Sequence, residues 1–161
     1  MARAALDQLQ LDRILFIPTG ATHYRDAARA PAADRVAMLK LALSGEPKFR
    51  IDERELAPGH SGYTVDTLKS LKLNQPYLLM GADQYAKLDS WHQPDEILRL
   101  ARIAVFSRPE NALDEKVKVV QMPSMPISSS DIRARAARGE DLAPLVPPAV
   151  ARYIAGHGLY R

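Results

Sequence analysis

Apolar positions along the chain switch repeatedly between helical spacing and short continuous runs. "ARAALDQLQ" sets Ala2, Ala5, Leu6 and Leu9 on one helical face. "RILFIP" is a short apolar run closed by Pro18, the pattern of a buried strand. "PAADRVAMLKLALS" predicts a helix with Val36, Leu39 and Leu43 on one face and Gly45 past its end. In "KFRIDEREL", Phe49 and Ile51 fall on one side of a strand. "TVDTLKSLK" predicts a short helix capped by Thr64. "YLLMG" and "RIAVFS" are apolar enough for buried strands. Between them, "PDEILRLA" predicts a helix with Pro94 at its first position and acids in its first turn. "KVKVVQM" is a further strand. "DIRARAAR" is a helix stopped near Gly139, and "PPAVARYIAGHG" one stopped at Gly156 or Gly158.

Strands and helices thus alternate, which predicts an α/β fold with a doubly wound parallel sheet in one domain, residues 1–161. In such sheets ligands bind beyond the carboxyl ends of the strands. The segments there are "TGATHYR", "LAPGHSGYT", "GAD", "SRP" and "SMPISSSDIR". Glycines, hydroxyls, histidines and arginines therefore gather at one edge.

Composition removes several alternatives. The 161 residues carry a formal charge of +3, which suits anionic ligands but is too mild for a nucleic-acid groove. There is no cysteine, so disulfides, thiolate metal sites and cysteine nucleophiles are excluded. No apolar run reaches membrane-spanning length, and the charged amphipathic N-terminus is unlike a secretory signal. The expectation is a cytoplasmic protein that binds neither nucleic acid nor membrane.

The candidate residues each have a structural alternative. In "ISSSDIR", Ser128, Ser129 and Ser130 open a helix whose free N–H groups attract anions, and Arg133 lies within its first turn. Plain capping by Ser129 or Ser130 is the other reading. Gly81 would let a ligand approach the backbone and Asp83 would accept from ribose hydroxyls; alternatively Asp83 caps "QYAKL". Trp91, the single tryptophan, is either a stacking platform beside His92 or part of the core. Tyr63 and Thr64 open a helix where a carboxylate can be held, or they cap and pack. His23 and Arg25 could grip a phosphate from a loop, as could Arg108; all three could equally be solvated. The four histidines are scattered and no metal-ligand spacing is visible. A site rich in anion donors and poor in nucleophiles suits phosphoryl or nucleotidyl transfer.

Taken together, "ISSSDIR", "SGYTVDTL", "GADQYAKLDSW" and "LVPPAVARYIAGHGLYR" resemble the nucleotidyltransferases with HxGH and ISSTxIR signatures, and bacterial nicotinate-nucleotide adenylyltransferases in particular. The resemblance runs from "LDRILFIPTG" to Arg161, with Ser130 where the signature has threonine. It implies a Rossmann-like fold of the nucleotidyltransferase type. It also implies adenylyl transfer from ATP to nicotinate mononucleotide with Mg²⁺, giving deamido-NAD and pyrophosphate. Ser128, Ser129, Ser130, Arg133 and Arg108 would hold ATP phosphates, and Gly81 and Asp83 would face ribose. Trp91 would stack on the pyridine ring, and Tyr63, Thr64 and the backbone at His92 would recognise its carboxylate. The mononucleotide phosphate would fall to His23 and Arg25, although "THYR" departs from the family's PPHK or PPHR. The family opens with a strand and GGTFDPxHxGH, which are absent here. The expectation is an N-terminally incomplete chain whose sheet, ordered 3-2-1-4-5 in the family, splits where strand 1 is missing. Such a chain is expected to be unstable and inactive by itself. The rival readings are an adenylyltransferase for nicotinamide mononucleotide or phosphopantetheine, and a non-catalytic nucleotide-binding module.

Overall fold

The computed structural model describes residues 1–20, 28–107, 117–122 and 127–161. In chain order the elements are α1 (Ala2–Gln8), β1 (Ile14–Phe16), α2 (Ala32–Ala42), β2 (Phe49–Ile51) and α3 (Thr64–Leu71). They continue with β3 (Tyr77–Gly81), α4 (Ala82–Tyr85), α5 (Pro94–Leu100), β4 (Arg102–Ser107) and β5 (Lys118–Gln121). Two helices, α6 (Ser129–Ala137) and α7 (Pro148–Gly156), close the chain. The alternation expected from the apolar pattern runs from α1 to β4, with short 3₁₀ turns at Arg54–Leu56 and Leu88–Ser90.

The described strands form two sheets, β1 beside β2 and β3-β4-β5. In the larger sheet the strands are parallel, with Tyr77 opposite Arg102 and Val105 opposite Val119. The chain divides into two compact units, Met1–Ile14 with Gly59–Ser124 and Leu15–Pro58 with Met125–Arg161.

In the first unit, the central strand β4 buries Ile103, Ala104 and Val105, as expected of a strand covered on both faces. Against it pack Val65 and Leu68 of α3, Met80 of β3, Leu88 of the 3₁₀ turn and Ile97 of α5. The strand β3 is less buried than its apolar sequence predicts: only Met80 is fully covered, and Leu78 and Leu79 are half-buried. The reason is that β3 is an edge strand here, paired only with β4. At the opposite edge Gln8 serves as a substitute strand for β5. Its side-chain amide donates to the Gln121 carbonyl and accepts from the Gln121 N–H, both at 2.9 Å. The exposed backbone pair is satisfied without another strand.

In the second unit, Ala136 of α6, Leu142, and Val150 and Ile154 of α7 form the core. Asp34 of α2 accepts a hydrogen bond from the Tyr153 hydroxyl of α7 at 2.8 Å. Phe16 and Phe49 meet edge to face, with centroids 5.3 Å apart. Gly20 is indispensable for packing, since a Cβ there would collide with the Glu55 carbonyl. Helix ends follow the sequence signals: Gly139 and Gly158 take left-handed φ of +71° and +58° just beyond α6 and α7. Among the described residues no helix is long and apolar enough to cross a membrane.

Candidate active site

The start of α3 differs in detail from the sequence expectation. Tyr63, not Thr64, occupies the cap position, in extended conformation and without a side-chain cap of its own. Thr64 is the first helical residue, so its side chain is not the cap. Ser61 instead holds the cap residue from outside the helix. Its hydroxyl accepts from the Tyr63 N–H at 3.2 Å and donates to Asp66 at 2.6 Å. The Tyr63 ring lies on His92, with centroids 4.2 Å apart and planes inclined by 28°.

His92 is exposed, whereas its neighbour Trp91 is half-buried against the core of Val65, Leu68 and Ile97. Tyr63 packs against the same core. Trp91 is therefore partly structural, with the rest of its surface exposed. Gln93, with φ of +54°, turns the chain from this aromatic corner into α5. Its amide oxygen accepts from Lys69 at 3.3 Å, and its amide nitrogen lies 3.1 Å from His92 Nε2. An ammonium only donates, so the Gln93 amide group must donate to His92, leaving the imidazole proton on Nδ1.

At the carboxyl end of β3, Gly81 is the cap position of α4 and Asp83 lies in its first turn; Asp83 does not cap the helix. A Cβ on Gly81 would lie 2.6 Å from Asp83 Oδ1, so only glycine lets that carboxylate close over the backbone. The Gln84 amide, 3.1 Å from Asp83 Oδ2, holds this carboxyl below the usual carboxylate range. Asp83 is consequently a fully ionised acceptor at neutral pH, suited to hydroxyl donors.

In the second unit the cap of α6 is Ser128, not Ser129 or Ser130. Its hydroxyl accepts from the Asp131 N–H at 3.1 Å. Capping thus uses one serine and leaves two exposed in the first turn. Ser130 accepts from Arg133 Nη2 at 3.1 Å, which draws the guanidinium toward the helix mouth. Arg133 Nε is buried and has no hydrogen-bond partner among the described residues. Asp131, the acid in this turn, is bound to Arg135 at 3.0 Å. Its charge is partly offset at the point where an anion would approach.

Residues 1–135 match the family model described as cytidylyltransferase-like. A protein of Dehalococcoides mccartyi named probable nicotinate-nucleotide adenylyltransferase is 40% identical, across 99% of this chain and 88% of its own length. A Bordetella petrii protein of the same name is 39% identical, across 100% of this chain and 90% of its own. This chain belongs to the nicotinate-nucleotide adenylyltransferase branch of the cytidylyltransferase-like family. Its Rossmann-like fold is shared with a solved Vibrio parahaemolyticus protein named for the same activity. That match has a TM-score of 0.67 at 19% identity and covers 99% of this chain and 85% of the other.

The sequence-selected residues of this nucleotidyltransferase are distributed over both compact units. Tyr63, Thr64, Gly81, Asp83, Trp91 and His92 all lie in the first unit, and Ser128, Ser129, Ser130 and Arg133 in the second. His23, Arg25 and Arg108 lie outside the described residues. Among the described residues no group of three His, Asp or Glu could hold a metal ion. The sequence reading passed over Ser61, Asp66 and Gln93. The signal for the first two was in "SGYTVD", where a serine and an aspartate bracket the helix start.

Proposed function

We propose that this protein transfers the adenylyl group of ATP to nicotinate mononucleotide, producing deamido-NAD and pyrophosphate in NAD biosynthesis. The observation that carries this reading is identity of 38–40% with proteins named for that activity over essentially the whole chain. A phosphate oxygen of the mononucleotide attacks the α-phosphorus of ATP. The new oxygen–phosphorus bond forms as the bond to the bridging oxygen of the β-phosphate breaks, and pyrophosphate leaves with the electron pair. Such transfers rely on positioning and charge stabilisation more than on covalent catalysis.

In this reading Trp91 flanks the pyridine ring, and Tyr63 and Thr64 with the backbone at His92 recognise its carboxylate. Asp83, beside Gly81, accepts from ribose. Ser128, Ser129, Ser130 and Arg133, with Arg108, bind ATP phosphates, and His23 and Arg25 bind the mononucleotide phosphate. Mg²⁺ would enter on the triphosphate, since this ion is commonly held by substrate phosphates with few protein ligands. Bound there, it would neutralise charge on the departing pyrophosphate.

Titration calorimetry with nicotinate mononucleotide, nicotinamide mononucleotide, phosphopantetheine and ATP tests the substrate. The acid form should bind about tenfold more tightly than the amide, since bonds to a charged acceptor exceed those to a neutral one by about 1.4 kcal/mol. Preferential binding of phosphopantetheine would overturn the reading. Pyrophosphate release with both substrates present identifies the transferase, and binding without release the non-catalytic module.

A further inference from the structure

The loop ahead of α3 contains a histidine that the family resemblance leaves without a role. His60 Nδ1 lies 3.0 Å from the Gly62 backbone nitrogen, and its Nε2 lies 3.4 Å from the Thr67 hydroxyl. Thr67 is 4% exposed, the one buried polar side chain among the described residues. Its hydroxyl donates in turn to the Tyr63 carbonyl at 3.4 Å. The directions of these bonds are fixed by chemistry. A backbone N–H only donates, so Nδ1 must accept, and the proton of the neutral ring sits on Nε2. Nε2–H then donates to Thr67, whose own proton is already directed at Tyr63. The bonds close into a ring running from Gly62 to His60 to Thr67 to Tyr63, and back through the Gly62–Tyr63 peptide bond.

We propose that His60 is a positioning residue for the pyridine side of the site: it holds the Gly62 N–H, and with it the turn that leads into Tyr63, so that the Tyr63 ring stays stacked on His92. This rests on the function proposed above, and it adds a residue that touches no substrate. Gly62 has φ of +74° and Ser61 is small, so nothing in the covalent chain itself fixes this turn. Ser61 holds the Tyr63 N–H, while His60 and Thr67 hold the Gly62 N–H and the Tyr63 carbonyl. Tyr63 is thereby gripped on both of its peptide bonds. A ring 4.2 Å from its stacking partner tolerates little rotation of the backbone that carries it.

The test compares His60→Ala with His60→Asn, whose amide oxygen can accept from the Gly62 N–H in place of Nδ1. Amide exchange at Gly62, read by NMR, should accelerate about three- to tenfold in His60→Ala, the loss of one net hydrogen bond. It should recover in His60→Asn. Calorimetry should show nicotinate mononucleotide binding weakened by a similar factor in His60→Ala and restored in His60→Asn, with ATP binding unchanged in both. Unaltered Gly62 exchange in His60→Ala would overturn the lock. Faster exchange with unaltered mononucleotide affinity, or equal loss for ATP and mononucleotide, would overturn the positioning role. Absence of mononucleotide binding by the unmodified protein would sink the proposed substrate and the positioning role with it, while the exchange data would still decide the lock.

Discussion

Tyr63 stacks on His92, two residues from separate loops whose rings meet at 4.2 Å. The contact joins the start of α3 to the segment ahead of α5. A double-mutant cycle of Tyr63→Ala and His92→Ala, measured by denaturant unfolding, should give a coupling of about 0.5–1.5 kcal/mol. Tyr63→Phe should keep this coupling, since the ring and not the hydroxyl makes the stack. Strict additivity of the two alanine variants would show that the rings do not support each other.

Trp91 is half-buried against the α3–α5 core, so its removal should affect both stability and binding. Trp91→Ala is expected to destabilise the protein by about 2 kcal/mol, less than the roughly 3–5 kcal/mol of a fully buried aromatic ring. Because it is the single tryptophan, its fluorescence reports on its surroundings alone. Emission should change on adding nicotinate mononucleotide and stay constant with phosphopantetheine. The reverse pattern would remove Trp91 from the pyridine site.

Arg133 is drawn to the mouth of α6 by Ser130 and keeps a buried Nε without a partner among the described residues. Arg133→Ala should weaken ATP binding by about 1.5–3 kcal/mol, the range for hydrogen bonds to charged groups. Arg133→Lys should recover only part of this, because an ammonium lacks the planar fork. Calorimetry with ATP decides the matter. Unchanged affinity would reduce "ISSSDIR" to a helix cap built on Ser128.

Gly81→Ala should fold, since Gly81 has an ordinary φ of −77°, yet it should displace the Asp83 carboxylate that lies 2.6 Å from the new Cβ. Nucleotide affinity should fall while the melting temperature changes little. The carboxyl itself offers a second reading. Its depressed pKa arises first from the Gln84 amide. A group with a lowered folded-state pKa contributes stability above its unfolded pKa and loses it as pH falls through the folded value. In a ¹³C titration Asp83 should therefore remain charged below the ordinary aspartate range, and Gln84→Ala should move its midpoint upward. An unmoved midpoint would exclude the Gln84 bond as the cause.

Local pattern alone determined the element order of this protein and the ends of several helices. Period-3.6 spacing marks α3 and α7, an apolar run marks β4, and glycines that can adopt positive φ mark the ends of α6 and α7. The candidate anion donors could be named from the sequence too, because serines, glycines and an arginine follow strands in a parallel pattern. The exact cap was not. Three consecutive serines are equivalent in sequence, and Ser128 becomes the cap only because the backbone is extended there, with φ of −122° and ψ of 146°. Burial of β3 was likewise undecidable locally. "YLLMG" has the composition of a central strand, and its position at a sheet edge leaves Leu78 and Leu79 half-exposed. The stacking of Tyr63 on His92 and the hydrogen-bond ring around His60 depend on loop geometry and long-range packing. Side-chain periodicity reports which face a residue takes within its own element. Only the tertiary fold decides which side chain it meets there.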